Sequence, residues 1–309
     1  MISIRSNYTV MKDCLRVVLA TLLVVFFVAC GKDDDKETSQ TSPTSPAIGG
    51  GASGSSEEPG NDERTAQAFD STGASVAVFS VAKGNTVRFS RGNLQYQAST
   101  DTWRFAEHQY DYIGGSNSQI SSTYSGWIDL FGRGVWLPGK TPWHASTSIP
   151  DYAWSESETD APAMGEEWRT LSRDDWKYLF VERANASELH GEATVNGVHG
   201  IVMLPDEWTL PEGLLFTPGF DGSVYNDYSL NVYSVEQWQA MENSGAVFLP
   251  AAGDRWGTFV DGVNAAGFYW SSSDYGDGMA SFLFFNGMNL EPNLATEYSR
   301  GLSVRLVHR

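Results

Sequence analysis

Cysteine is almost absent from this chain. Among 309 residues there are two, Cys14 and Cys30, and both lie within the first thirty positions. The residues after Cys30 therefore cannot form a disulfide bond with one another or a thiolate metal site. The stability of a domain built from them has to come from packing.

Basic residues are also scarce. The chain has 20 Lys and Arg against 38 Asp and Glu, which gives a formal net charge of −18 at pH 7. A surface this acidic repels phosphate backbones and releases no condensed counterions on contact with them. We therefore expect no nucleic acid partner.

Sequence motifs for catalysis and metal binding are missing. The histidines show no H-E-x-x-H or other close ligand spacing, and no G-x-S-x-G stands in a strand-turn-helix context. We predict no catalytic residue, no metal and no cofactor, so the chain is not expected to be an enzyme. A cysteine-free enzyme that uses carboxylates is the weakest alternative. The five histidines are His108, His144, His190, His199 and His308.

No apolar run is long enough to span a bilayer comfortably. The run from Val17 to Ala29 has about thirteen residues, whereas a membrane-spanning helix needs about twenty. Basic Arg5, Lys12 and Arg16 precede it, a layout typical of an export signal over residues 1–29. Met11 is an alternative start of translation.

The signal ends in Val28-Ala29-Cys30-Gly31, which resembles the lipobox of bacterial lipoproteins, with Phe27 where that motif usually has leucine. The resemblance implies lipidation at Cys30, by a fatty acyl chain such as palmitate. An unlipidated secretory signal is the alternative. The following Lys32 to Lys36 resembles the surface-export signal of Bacteroidetes lipoproteins. It implies a lipid anchor in the outer membrane with the protein facing the cell exterior.

Composition divides the mature chain into two parts. Residues 30–75 are rich in Ser, Thr, Gly, Pro and acids, and such a stretch buries too little apolar surface to fold. We interpret it as a disordered tether. Residues 76–309 contain all eleven Trp and are predicted to form one domain. Strands are expected at 86–90, 94–96 and 103–105, and helices at 173–180 after Ser172 and 235–241 after Ser234.

Three C-terminal segments are the most distinctive, at 267–273, 280–285 and 301–307. Together with Trp168–Ser172 and Ser90–Tyr96 they resemble the "major paralogous domain" lipoproteins of Fibrobacter and Bacteroides. That group is similar to the formylglycine-generating-enzyme and C-type-lectin folds. The resemblance implies an α+β, C-type-lectin-like domain of small antiparallel sheets, few helices and long ordered loops. Formylglycine generation needs active-site cysteines, which this domain lacks.

Similar lectin-like domains include the variable proteins of diversity-generating retroelements, in which the stretch after Trp-Ser-Ser is the binding surface. That stretch is residues 274–300 here. Strand alternation indicates that Leu283 and Phe285 face the core and that Phe282 and Phe284 face the opposite side, either as an exposed patch or beneath a second layer. The predicted ligand-binding residues are Asp274, Tyr275, Asp277, Phe282, Phe284, Asn286, Met288, Asn289, Glu291 and Asn293.

Glu291-Pro292-Asn293 is the tripeptide with which mannose-type lectins hold calcium and sugar hydroxyls. The downstream Trp-Asn-Asp of those lectins is absent, so we predict no calcium site. The leading interpretation is a surface-anchored binding module, an adhesin or receptor for an unknown glycan or protein ligand outside the cell. A structural or adhesive subunit of a surface assembly is the alternative.

Overall fold

Short strands dominate the chain, because brief alternating runs are separated by Gly, Asn, Asp and Pro turns. A computed structural model describes residues 68–119, 121–133 and 164–309. The strands of these residues are β1 (Phe79–Ala82), β2 (Asn85–Phe89), β3 (Leu94–Gln97), β4 (Thr102–Phe105), β5 (Trp168–Thr170), β6 (His190–Val195), β7 (Val198–Met203), β8 (Val232–Tyr233), β9 (Val247–Pro250), β10 (Asp254–Trp256), β11 (Phe259–Asp261), β12 (Ala266–Gly276), β13 (Met279–Asn286), β14 (Leu290–Glu297) and β15 (Leu306–His308).

Two α-helices accompany the strands in the described residues, α1 (Arg173–Lys177) and α2 (Val235–Asn243). A π-helical turn, Tyr178–Glu182, continues α1. Short 3-10 turns occupy Ala98–Thr100, Gly114–Ser118 and Ala186–Glu188. None of these helices has the length and apolar character needed to cross a membrane.

The strands of the described residues form five small sheets, and most of their strand pairs are antiparallel. Their strand orders are β1-β2-β15-β5, β3-β4, β8-β6-β7-β9, β10-β11 and β12-β13-β14. The exception is β8, which runs parallel to β6 at a sheet edge. A sheet-rich chain with few helices agrees with the predicted α+β class.

Both predicted helices are confirmed, and each begins with a reciprocal capping box. Ser172 Oγ accepts from the Asp175 amide at 3.1 Å, and Asp175 accepts from the Ser172 amide at 2.9 Å. In α2, Ser234 and Gln237 exchange the same two bonds at 3.2 and 2.9 Å. The three predicted front strands are also confirmed, as β2, β3 and β4.

Two core clusters meet on either side of β13. Leu283 and Phe285 are fully buried in a cluster with Trp176, as alternation predicted. Phe282 is only 7% exposed and belongs to a second cluster around Trp270. The second layer considered for this face is therefore present. The alternative prediction of an exposed patch is wrong for Phe282, because both faces of β13 are covered there.

The buried guanidinium of Arg305 joins the chain's front to its C-terminal end. Its nitrogens donate to Asn93 Oδ1 at 3.0 Å, to the Ser90 carbonyl at 3.1 Å and to the Phe248 carbonyl at 2.7 Å. An interior guanidinium has to satisfy its donors, so these partners occupy fixed positions. Arg305 and the segment Ser90–Asn93 therefore belong to one buried hydrogen-bond network.

The fold begins earlier than predicted. Residues 68–75, assigned to the tether, belong to the compact unit Asp62–Arg309. Ala74 is fully buried, and the Ser75 amide donates to the Phe89 carbonyl at 2.8 Å. The boundary near residue 75 is therefore too late, because small residues in a polar sequence still add backbone pairing to a sheet edge. Cys30, the signal and tether residues 30–67 lie outside the described residues.

Candidate functional site

The predicted binding window forms the three-stranded sheet β12-β13-β14. Its central strand β13 runs from Met279 to Asn286. At about 3.3 Å per residue the strand separates its two ends by roughly 23 Å. The residues proposed as one site therefore fall at two ends of a sheet, which we call the 277 end and the 288 end after the turns that close them.

At the 277 end the polar groups are used by the fold itself. Asp274 Oδ1 accepts from the Tyr298 hydroxyl at 2.5 Å and from the Gly276 amide at 3.0 Å. Burial alone would raise the pKa of Asp274, but these hydrogen bonds hold it below its usual value. Asp277 has a φ of 53° and Gly278 a φ of 76°, as a two-residue hairpin turn requires. Among the described residues, Tyr275 is the one large exposed hydrophobic side chain there, at 44%.

Two further predicted residues are buried and unavailable to a ligand. Phe282 packs beside Trp270 in the second core cluster. Asn286 is 5% exposed, and its Oδ1 accepts from the amides of Met288 and Asn289 at 2.7 and 3.0 Å. Asn286 therefore shapes the turn between β13 and β14, and both residues are withdrawn from the candidate site.

Near the 288 end, the hairpin β10-β11 displays two aromatic side chains. Trp256 and Phe259 are cross-strand partners flanking a two-residue turn, so their side chains share one face. Their exposed fractions are 43% and 66%. On the opposite face of β10, Arg255 is fully buried and donates to the carbonyls of Gly257 at 2.7 Å and Leu130 at 3.2 Å. The hairpin is thereby fixed to the body of the domain.

Arg300 lies over this hairpin. Its guanidinium carbon is 5.4 Å from the ring centroid of Trp256 and 5.8 Å from that of Phe268, within cation–π range. Its Nε donates to Asp254, which shares a face of β10 with Trp256. The arrangement holds a charged group beside exposed aromatic rings.

Tyr225 borders the same area from the loop before β8. It is 40% exposed, and the charges of Asp254 and Asp261 act on its hydroxyl. Burial and then these two carboxylates raise the pKa of Tyr225, so the hydroxyl stays protonated at neutral pH. We name the group of Tyr225, Asp254, Trp256, Phe259, Asp261 and Arg300 the hairpin surface.

The carboxylate of Asp254 is the most buried charge on this surface. Burial raises the pKa of Asp254 above its ordinary value, and Arg300 acts in the opposite direction. A carboxylate in this position remains stable only with a cation beside it. Asp254 therefore keeps Arg300 stacked over the rings, and Arg300 in turn supports the charge on Asp254.

Four of the predicted residues border the hairpin surface: Phe284, Met288, Asn289 and Glu291. The Phe284 ring is 5.2 Å from Phe268, and Glu291 is the cross-strand partner of Phe284. Met288 and the neighbouring Asn289 are exposed in a turn whose Gly287 amide donates to the Tyr225 carbonyl at 2.8 Å. Asn293 is exposed at a bulge of β14. The C-terminal window thus contributes one edge of this surface.

The centre of the hairpin surface was not predicted from the sequence, because the family resemblance indicated only residues 274–300 as a binding surface. The missed residues are Tyr225, Trp256 and Phe259, together with the charged residues Asp254, Asp261 and Arg300. A local signal was present in Trp256-Gly257-Thr258-Phe259, where two aromatic residues flank a Gly-containing two-residue turn. Such a turn directs both side chains to one face of a hairpin.

Within the residues that the structure describes, no three His, Cys, Asp or Glu side chains are grouped so as to hold a metal ion. Glu291 and Asn293 are exposed on β14 without a third acidic ligand beside them. Asp221 and Asp227 accept hydrogen bonds from Ser223 and from the Ser229 amide. The hairpin surface itself presents aromatic faces and hydrogen-bonding groups.

Comparison with known proteins identifies no relative from which a function could be inferred. Protein-family models, curated protein sequences and solved structures were each compared with the chain, and none matched. The function therefore has to be argued from the residues of this chain.

Proposed function

We propose that this protein is a lipid-anchored binding module of the outer membrane, and that its hairpin surface binds a ligand outside the cell. One observation carries the proposal. Four aromatic side chains of the described residues are more than a third exposed, and three of them belong to this surface, namely Tyr225, Trp256 and Phe259. Clustered exposed rings mark interaction sites more often than isolated ones do.

The rigidity of the surface supports the same proposal. Trp256 and Phe259 stand on a hairpin that Arg255 fixes from below, and Arg300 is held by Asp254. A side chain already held in its bound position loses little conformational entropy when the ligand arrives. Aromatic residues and arginine are also the side chains that most often dominate binding energies.

The anchor and the lectin-like fold are parts of this proposal that rest on sequence resemblance. The lipobox-like segment ending at Cys30 supports lipidation, and residues 30–67 supply a polar spacer between lipid and domain. The motifs at 267–273 and 301–307 support a place in the C-type-lectin-like group. Outward display supports a ligand from the surroundings of the cell.

The binding claim can be tested with the full-length mature chain on an array of glycans and host-surface proteins. We expect a ligand whose affinity falls by about tenfold or more in Trp256→Ala and in Phe259→Ala, as central interface residues do. The control is Leu215→Ala, because Leu215 is 82% exposed and lies outside the hairpin surface. Equal binding by all three variants would exclude this surface.

The anchor is tested separately by metabolic labelling with a fatty acid analogue. We expect label on the wild-type protein and none on Cys30→Ala. Equal labelling of both, or a mature N-terminus other than Cys30, would refute the lipid anchor and leave the binding claim intact.

A further inference from the structure

We infer that the hairpin surface recognises a neutral sugar ring with adjacent hydroxyl groups, and that Arg300 and Asp261 determine this specificity. The inference rests on the proposed binding function and narrows its ligand class. It starts from the hydrogen-bonding groups that the fold leaves unused beside the exposed rings.

Arg300 has hydrogen-bond donors that are not used by the described residues. Its Nε is bonded to Asp254, whereas its two terminal nitrogens make no hydrogen bond within the part of the chain that the structure describes. The side chain is 28% exposed, so part of it can be reached by a ligand. Because the guanidinium is planar, its free edge presents two N–H groups in a fixed geometry.

Acceptors lie beside these donors. Asp261 stands opposite Asp254 in the hairpin register, and its Oδ1 accepts from the Gly262 amide at 2.8 Å. Its other carboxylate oxygen has no partner among the described residues, and Asp261 as a whole is exposed. The Tyr225 hydroxyl, which both carboxylates influence, is equally uncommitted in those residues. The surface therefore offers donors and acceptors next to each other.

A sugar ring matches this combination. Each of its hydroxyl groups donates and accepts, so a pair of adjacent hydroxyls can bind a guanidinium edge and a carboxylate together. The C–H groups on the face of the ring are apolar, and the exposed rings of Trp256 and Phe259 offer a flat apolar surface for them. A purely apolar ligand would leave the Arg300 and Asp261 groups desolvated without partners, at a cost in affinity.

Charge argues against an acidic sugar. The single guanidinium is already paired with Asp254, and Asp261 and Glu291 add two further acids nearby. The whole chain carries a net charge of −18. A carboxylate or sulfate on the ligand would meet this negative field, because Arg300 alone does not balance it.

The test uses the full-length mature chain on three sets of probes: neutral oligosaccharides, sialylated or uronic-acid oligosaccharides, and Lys/Arg-rich peptides. We expect binding to neutral oligosaccharides that changes little with added salt, since no net ligand charge is involved. Arg300→Lys, which keeps the charge and loses the planar fork, and Asp261→Asn should each weaken it by about tenfold. Tyr275→Ala, at the 277 end, is the control.

The outcomes separate this inference from the binding function it rests on. Binding only of acidic sugars or of basic peptides, lost in Trp256→Ala, would overturn the inference and retain the hairpin surface as the site. Neutral-sugar binding unaffected by both Arg300→Lys and Asp261→Asn would overturn the assigned roles of these residues. No binding to any probe, or binding unchanged in Trp256→Ala, would overturn the inference and the proposed site together.

Discussion

The two ends of the three-stranded sheet differ in what they leave unbonded. At the 277 end, Asp274 is bonded to Tyr298 and to a backbone amide, and the turn residues have the φ angles that their turn requires. Near the 288 end, the hairpin surface keeps two nitrogens of Arg300 and one oxygen of Asp261 without a partner in the described residues. The 277 end therefore maintains the fold, and the other end has groups available for a ligand.

The comparison also shows that exposure alone does not identify a site. Tyr275 and Trp256 have nearly the same exposed fraction, 44% and 43%. Trp256 differs because a second exposed ring, a stacked guanidinium and two carboxylates surround it. A convergence of several groups, rather than one exposed ring, distinguishes a binding surface.

The largest effect is expected between the two ends, at Phe282. Replacement of this buried ring by alanine should lower the free energy of unfolding by about 3–5 kcal/mol, because it leaves a cavity beside Trp270. Chemical denaturation measures the change. Phe259→Ala is the matched control, since the 66% exposed Phe259 should cost no more than about 0.5 kcal/mol. Equal stabilities of the two variants would mean that the β13 face at Phe282 is open.

An intermediate effect is expected at Glu192, which supports the loop carrying Tyr225. Its side chain is fully buried, one oxygen accepts from the Leu230 amide at 3.3 Å, and the other has no hydrogen-bond partner among the described residues. Burial raises the pKa of Glu192 to about 7, and the nearby Asp227 and Asp221 add to the rise. The folded chain thus retains a proton that the unfolded chain releases near its ordinary pKa of 4.5.

The sign of the pH effect follows from this difference. Protonation of Glu192 contributes fully to stability below pH 4.5, and the contribution is lost as the pH rises to about 7. Glu192→Gln should therefore match the wild type near pH 4.5 and exceed it in free energy of unfolding at about pH 8. Denaturation at both pH values measures the difference. A gap that stays constant with pH would show that folding does not shift the pKa of Glu192.

The smallest effect is expected at the turn of the 277 end. Asp277 has a φ of 53°, a conformation that alanine adopts at a cost and glycine adopts freely. Asp277→Ala should be less stable than Asp277→Gly by about 1 kcal/mol, and neither should alter ligand affinity. Thermal denaturation compares the two. A loss of affinity in both variants would return the 277 end to the binding site.

Local signals predicted the local elements well. The Ser caps at Ser172 and Ser234 located both helices, because a capping box depends on residues three positions apart. The alternation in β13 correctly assigned Leu283 and Phe285 to one core. Neither inference needed information about distant parts of the chain.

The same local signals could not predict contacts between residues that are far apart in the sequence. Alternation states that Phe282 faces away from Leu283, but only the packing of Trp270 and its neighbours determines that this side is covered. Trp256 and Arg300 are 44 positions apart and meet because Arg255 and Gly301 pair across the fold. Five of the six residues of the hairpin surface, all except Arg300, therefore lie outside the window that family resemblance indicated.

The most direct test of the central claim compares Trp256→Ala with Tyr275→Ala for affinity toward a ligand of the wild-type chain. The two rings are almost equally exposed, so the loss of apolar surface is matched, and Tyr275 is not part of the hairpin surface. We predict that Trp256→Ala weakens binding by about tenfold or more and that Tyr275→Ala leaves it unchanged. Loss of affinity in Tyr275→Ala with normal binding by Trp256→Ala would contradict the account and place the site at the 277 end.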